Sequence, residues 1–333
     1  MKSQCILLLL VCVAFPSSLF SQESTVYASV LSTKLFVVGA ANPETGLYYQ
    51  RPGEDTVWHH TGPKTIRDFG LAVYAPAKGQ LICLAAGNGV HKTSDGGKTW
   101  KITTGWEITE VLSLTIDRAN PDFMLCATPY GVYRTLDGGA TWLGCTSGIH
   151  QKFTSSVIID NQNSNILYCS TEDGVYRSEN RGDSWTRTGL NVGGVRVVVQ
   201  SPKDPNILVA GTDDNGIYVT RNAGAYWEKS EAGLDHSTFF TIVYDPSNPQ
   251  VLYAGGYVTG VYKSVDGGVS WKLKNTGMGC LNVHSIAVDP TNSKRVFAGT
   301  IWGGVFRSDD GGESWRNVGL SGSQVWKITV ESF

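Results

Sequence analysis

Between residues 111 and 142 the apolar and polar positions fall into a definite order. Val111-Leu112-Ser113-Leu114-Thr115-Ile116-Asp117 alternates as a strand does. Arg118-Ala119-Asn120-Pro121-Asp122 is polar and carries an Asn-Pro turn signal. Phe123 to Thr128 reads as a second strand, Pro129-Tyr130 as a short loop and Gly131 to Arg134 as a third strand, and Trp142 starts a fourth. The order returns further on, in Ile286-Ala287-Val288-Asp289-Pro290, Val296-Phe297-Ala298-Gly299-Thr300, Val305-Phe306-Arg307 and then Trp315. The first strand of each unit is the most apolar, which predicts burial on both faces near a central axis.

An eight-residue stretch ends the third strand of every clear unit. Thr93-Ser94-Asp95-Gly96-Gly97-Lys98-Thr99-Trp100 has counterparts ending at Trp142, Trp185, Trp227, Trp271 and Trp315. A degenerate copy runs from Gly46-Leu47-Tyr48-Tyr49 to Trp58. The Trp steps are 42, 42, 43, 42, 44 and 44 residues, the period of a four-stranded propeller blade. Seven units predict an all-β, seven-bladed β-propeller of four-stranded antiparallel blades. In each stretch the Asp accepts hydrogen bonds within its own turn, and the glycines allow positive φ. The Trp is expected to pack on the neighbouring sheet, so that Trp142→Ala costs ~3–5 kcal/mol. Asn replaces the Asp at Asn180 and Asn222, which keeps the acceptor but removes the charge. A catalytic role shared by all copies would not survive that change, so the stretches read as structural.

Composition narrows the function. Charged residues are 17% and the net charge is −2, which gives no electrostatic case for nucleic acid. Residues 1–21 read as a signal peptide, with Lys2, an apolar run from Cys5 to Phe15 and a c-region ending at Ser21. That run is too short to span a bilayer, and no other stretch is a transmembrane candidate. The expectation is a secreted or periplasmic protein whose propeller is residues 22–333. Cys83, Cys126 and Cys169 are spaced 43 and 43 apart, which predicts one small buried strand position in three successive units. Cys145 and Cys280 are the only pair left open for a disulfide. No CxxC or His-rich cluster points to a metal, and no cofactor is implied.

These repeats resemble the Asp-box (bacterial neuraminidase) repeat family, in which Ser/Thr-x-Asp-x-Gly-x-Thr/Ser-Trp closes the turn between the third and fourth strands. The resemblance covers nearly all of the chain after residue 21. It implies the propeller fold but little about activity, since the family includes sialidases, xyloglucan-active glycosidases, the sortilin ectodomain and photosystem II assembly factors. Size and plan are most similar to the assembly-factor-like members. The resemblance also implies that ligands meet the face opposite the boxes.

That face is built from the loops between blades and those between second and third strands. The interblade loops are read as supplying His59, His60, Arg67, Asp68, Trp106, Glu107, His150, Arg196, Asp235, His236 and His284. The intrablade loops supply Tyr130, Glu172, Asp213, Tyr257 and Trp302. Trp106, Tyr130, Tyr257 and Trp302 suit sugar rings or peptide side chains. Sialidases resemble one another in an arginine triad and an Arg-Ile-Pro segment. Here Ile66-Arg67-Asp68-Phe69 lacks the Pro, and Arg67 and Arg196 are the only well-placed arginines. A glycoside hydrolase or polysaccharide lyase would draw on Asp68, His150 or His236, without the sequence selecting among them. The reading is a non-catalytic binding or assembly protein that recognises a peptide, protein or glycan. A glycan-active enzyme using the same face is the alternative.

Overall fold

The structure is a computed structural model that describes residues 24–32, 45–63, 68–74 and 81–332. It contains seven four-stranded antiparallel sheets. Blade 3, for example, comprises Ser113–Ile116, Met124–Thr128, Gly131–Thr135 and Leu143–Gly144, counted outward from the axis. Each blade's first strand packs on the first strands of the blades before and after it, so that the seven form a closed ring. Residues 1–21, where the sequence leads one to expect a signal peptide, lie outside the described residues.

Closure uses both ends of the chain. The innermost strand of blade 1 is the C-terminal Gln324–Ser332, and it pairs with Ser24–Ser32, which is the second strand. The C-terminal strand therefore closes the ring, a choice that the apolar patterns of the two chain ends leave open. The N-terminal strand, which reads as a first strand by sequence, is displaced outward by one place. With Gly46–Gln50 and His59–Thr61 the blade is complete, and no edge is left open at the seam.

The apolar core is divided into wedges rather than gathered at a centre. Phe123, Leu125 and Ala127 of blade 3 meet Val157, Cys169 and Trp185 of blade 4 in one cluster. Six further clusters occupy the other interfaces between blades. This arrangement corrects the expectation that first strands are the most buried. Met124–Thr128, Leu167–Thr171, Leu208–Thr212 and Leu252–Gly256, all second strands, are buried at every residue. First strands such as Thr154–Ile159 and Val195–Gln200 are buried only at every third residue. A second strand is paired along both edges and covered on both faces. A first strand leaves one edge on the central channel.

All five described cysteines are free. Cys126 and Cys169 occupy equivalent positions, opposite Tyr133 and Tyr176. Cys83 does not. The equivalent residue of blade 2 is Leu84, opposite His91. Cys83 therefore points to the other face, where its thiol meets Met124 Sδ at 3.8 Å across the interface with blade 3. The turn between second and third strands has the same length in blades 2 and 3, so equivalent positions there lie 42 residues apart, one fewer than Cys83 and Cys126. Burial raises the Cys83 thiol to about 12, and it behaves as a small apolar side chain.

The recurring turns follow the hydrogen-bond plan read from the sequence. Asp95 Oδ1 accepts from the Lys98 and Thr99 N–H groups at 3.0 Å, and Oδ2 accepts from the Thr99 hydroxyl at 2.6 Å. The same set on Asp137, led by the Thr141 hydroxyl and N–H, holds that carboxyl down at about 2. At Asn180 the Oδ1 bonds survive, and the amide Nδ2 donates to Ser184 Oγ at 2.9 Å. Gly138 and Gly139 have φ of 68° and 91°, a region closed to most other residues. The Trp then reaches back to the preceding blade. The Trp185 indole N–H bonds Cys145 O at 2.7 Å, and that of Trp58 bonds Val318 O at 2.8 Å across the seam. Third-strand bases reach forward, as Lys92 Nζ does to Gly138 O at 2.5 Å.

Trp185 is 4% exposed, whereas Trp142 is only partly buried against its cluster. The full cost expected for Trp142→Ala therefore belongs to Trp185. Trp185→Ala should cost ~3–5 kcal/mol in a urea titration and Trp142→Ala distinctly less. In thermal melts Asp137→Asn should stay close to wild type while Asp137→Ala melts lower, because only the first keeps the Oδ1 acceptor.

Candidate functional site

Antiparallel order within each blade sets which loops share a face. The recurring turns lie beside the loops that join first and second strands. The chain enters every first strand from the opposite face. At that entry each first strand carries an extra residue. Register slips by one at Trp326, Phe69, Ser155, Arg196 and His284. In blades 3 and 6, Leu112 and Phe240 donate their N–H to Ala127 O and Gly255 O, the residues already opposite Ser113 and Thr241. Two residues thus face one at the same place in all seven blades. A bulge of this kind turns its side chain out of the strand's alternation. The seven side chains so turned are all half-buried and ring the channel mouth.

The ring has two unlike halves. From blade 6 to blade 2 it is aromatic: Phe240 and His284 have ring centroids 4.7 Å apart, His284 and Trp326 4.7 Å, and Trp326 and Phe69 5.4 Å. Burial lowers His284 from 6.5 to about 4, so its imidazole is neutral at physiological pH. At blade 5 the ring carries Arg196, whose Nη1 donates to Glu172 Oε1 at 2.7 Å and whose Nη2 donates to Asp213 Oδ2 at 2.8 Å. Its guanidinium carbon lies 5.8 Å from the Phe153 ring centroid. Thr238 Oγ1 donates to the other oxygen of Asp213 at 3.3 Å. Arg196 comes from a first strand, while Glu172 and Asp213 come from the second-to-third-strand loops of blades 4 and 5. The topology alone brings the three together.

The remaining candidates are spread over the same face. Trp106 is 91% exposed, and Glu107 beside it is exposed. Tyr130 is exposed and donates to Glu110 Oε2 at 3.1 Å. His150 and His236 are exposed, edge-on to Tyr176 and Tyr262 at 6.4 and 6.3 Å. His236 Nε2 stands 3.8 Å from Asp235 Oδ1, beyond hydrogen-bond reach. Tyr257 and Trp302 are exposed on the loops of blades 6 and 7. Those loops hold Val258 at φ 56° and Trp302 at φ 77°, positions that cost a non-glycine residue about 1–2 kcal/mol. Asn282 ties them together, accepting from Val258 N–H on Oδ1 at 3.0 Å and from Ile301 N–H on its carbonyl at 2.9 Å. Arg67 lies outside the described residues, and Asp68 is placed only as the backbone that opens the first strand of blade 2.

His59 and His60, read as interblade loop residues, form the outermost strand of blade 1 instead. There His59 pairs with Glu54 at 2.8 Å, and His60 bonds Thr45 O at 2.9 Å. The degenerate turn before them hid the true end of the third strand. Sequence reasoning missed Phe69, Phe240 and Trp326, because an aromatic at the start of an apolar strand reads as core. Their common offset from the preceding Trp, 11 to 13 residues in each unit, is the signal that finds them. Among the described residues no group of three or more His, Cys, Asp or Glu is placed to hold a metal ion. No described helix is long and apolar enough to cross a membrane. Two grooves of about 630 and 540 Å³ open on the opposite face, between neighbouring turns and loops.

Neither a protein-family model nor a curated protein matches this chain. Solved structures do. An ancestral GH74 enzyme aligns over 78% of this chain and 38% of its own, with 21% identity and a TM-score of 0.62. The GH74 enzyme of Niastella koreensis aligns over 78% and 45%, with 18% identity and a TM-score of 0.60. YCF48 bound to D1 peptide aligns over 77% and 83%, with 16% identity and a TM-score of 0.60. The chain thus spans less than half the length of the two GH74 enzymes and most of the length of YCF48. At these identities the likeness is one of fold.

The buried imidazole predicts a pH effect. The unfolded chain takes up a proton at His284 near 6.5 and the folded chain only near 4. The unfolded state binds more protons between those values, so stability falls as pH drops through them. His284→Gln should lack that contribution, up to about 3 kcal/mol. Urea midpoints of wild type and variant, compared at pH 7 and pH 4.5, measure the difference.

Proposed function

We propose that this chain is an exported, non-catalytic binding protein, and that its ligand is a segment of a peptide or protein lying across the channel mouth opposite the recurring turns. The observation that supports this most is the ring of bulged side chains. A half-buried aromatic arc and a preassembled carboxylate–guanidinium cluster stand side by side on a rigid disc. Such a mixed surface, with aromatic anchors and a polar rim, suits a protein segment. The resemblance of the turns to Asp boxes and the export signal at residues 1–21 agree with assembly-factor-like propellers. YCF48, similar in fold and length, has been solved with a peptide bound.

A glycan-active enzyme on the same face is the second reading, favoured by the fold likeness to GH74 enzymes and by exposed Trp106, Tyr257 and Trp302. The best-assembled carboxylates count against it. Glu172 and Asp213 both give oxygens to Arg196, whereas a two-carboxylate hydrolase keeps one carboxyl protonated to act as acid.

The two readings separate in one experiment. A panel of glycans is assayed for new reducing ends and for unsaturated uronates, with wild type and with Asp68→Ala, His150→Ala and His236→Ala. In parallel, binding of a library of unstructured peptides is measured for wild type, Phe240→Ala and Trp302→Ala. The expected outcome is no turnover, with peptide affinity reduced at least tenfold in the two aromatic variants. Turnover that disappears in the Asp or His variants would overturn the binding reading.

A further inference from the structure

Next to Trp326 in the aromatic arc, the innermost strand of blade 1 carries a cation without a partner among the described residues. Lys327 follows Trp326 on Gln324–Ser332 and is half-buried. Val325, Ile328 and Val330 of that strand pack on blade 7. Lys327 pairs in register with Ser29, on the sheet face that also carries Tyr27. Tyr27 packs with Leu71 and Val73 of blade 2, so this face turns toward blade 2 at the channel wall. No hydrogen bond or ion pair engages the Lys327 amine among the described residues. Burial pulls its pKa below the ordinary lysine value, with no counter-charge to offset it.

Its neighbours are equally unsatisfied. Ser29 is fully buried, and its hydroxyl has no hydrogen-bond partner. The indole N–H of Trp326 is enclosed and also without an acceptor. Elsewhere in the molecule basic side chains near the blade interfaces have partners, as Arg134 has in Asp183 and Lys274 in Glu313. A half-buried ammonium with no anion costs stability, and an anion supplied from outside the chain would offset that cost.

We propose that the channel mouth at blade 1 is a carboxylate receptor, in which Lys327 takes a ligand carboxylate while Trp326, Phe69, His284 and Phe240 hold the apolar group beside it. This rests on the peptide-binding reading and gives it a chemical class: a protein segment with a carboxylate next to an aromatic or apolar side chain. An ammonium–carboxylate bond in a half-buried site is short and charge-assisted. The carboxylate comes from a chain end or from an acidic side chain, and the two are distinguishable.

The test uses three capped dipeptides: N-acetyl-Phe-Phe with a free carboxylate, its C-terminal amide, and N-acetyl-Phe-Glu-amide. Binding to the full chain is followed by intrinsic tryptophan fluorescence and calorimetry. At least one carboxylate peptide should bind at least tenfold more tightly than the neutral amide. The free-acid peptide leads if chain ends are recognised, and the glutamyl peptide leads if side chains are. Lys327→Met should abolish that preference and fold at least as well as wild type, since it removes a desolvated charge. Lys327→Gln serves as a second variant, with melting temperature as the check on folding. Equal binding of acid and amide by wild type, or a preference that survives in Lys327→Met, would overturn the receptor while leaving peptide binding intact. Binding of an oligoglucuronate in preference to all three peptides would overturn both.

Discussion

A four-stranded blade has no core of its own, and everything else in this molecule depends on that. Each apolar cluster belongs to two blades at once, as Leu125 and Val157 show in sharing one wedge. A blade taken alone would expose both faces, so stability requires neighbours on both sides. Only a closed ring supplies them for every unit. The seam in blade 1, where Gln324–Ser332 pairs with Ser24–Ser32, is therefore the contact on which the other six interfaces rest.

Closure also explains where the binding chemistry lies. The second strands of blades 3 to 6 are buried at every residue and offer no exposed groups. The recurring turns use their polar atoms on themselves and on the adjacent blade. What remains is the entry of the first strands, where seven bulges turn one side chain each toward the channel mouth. The bulge is a backbone feature common to all blades, but its residue differs in each: Ser155 in blade 4, Arg196 in blade 5, His284 in blade 7. The fold thus presents a fixed frame with variable contents, which is how a repeat protein acquires an individual surface.

Much of the frame was legible before the structure. The blade number and the turn plan follow from the Trp spacing and from apolar alternation, because both are local; which terminal strand sits innermost in blade 1 did not, because both ends of the chain read as first strands. Burial order was not legible, since an apolar first strand and an apolar second strand look alike in sequence. The channel that separates them exists only in the ring. The position of Cys83 shows the limit of counting residues: it lies 43 residues before Cys126 where the blade repeat is 42, and that one-residue offset puts it on the other face of its strand. His59 and His60 were misplaced because the turn of blade 1 has lost its motif.

By itself, then, the sequence determined an all-β propeller of seven blades and the chemistry of its turns, since hydrogen bonds within eight residues and a 42- to 44-residue period need no knowledge of distant contacts. The tertiary structure alone decided which side chains meet at the channel mouth. Phe240, His284, Trp326 and Phe69 come from four different blades, and two of them are 257 residues apart in the chain. Only ring closure brings such residues together, and only the bulges turn them the same way.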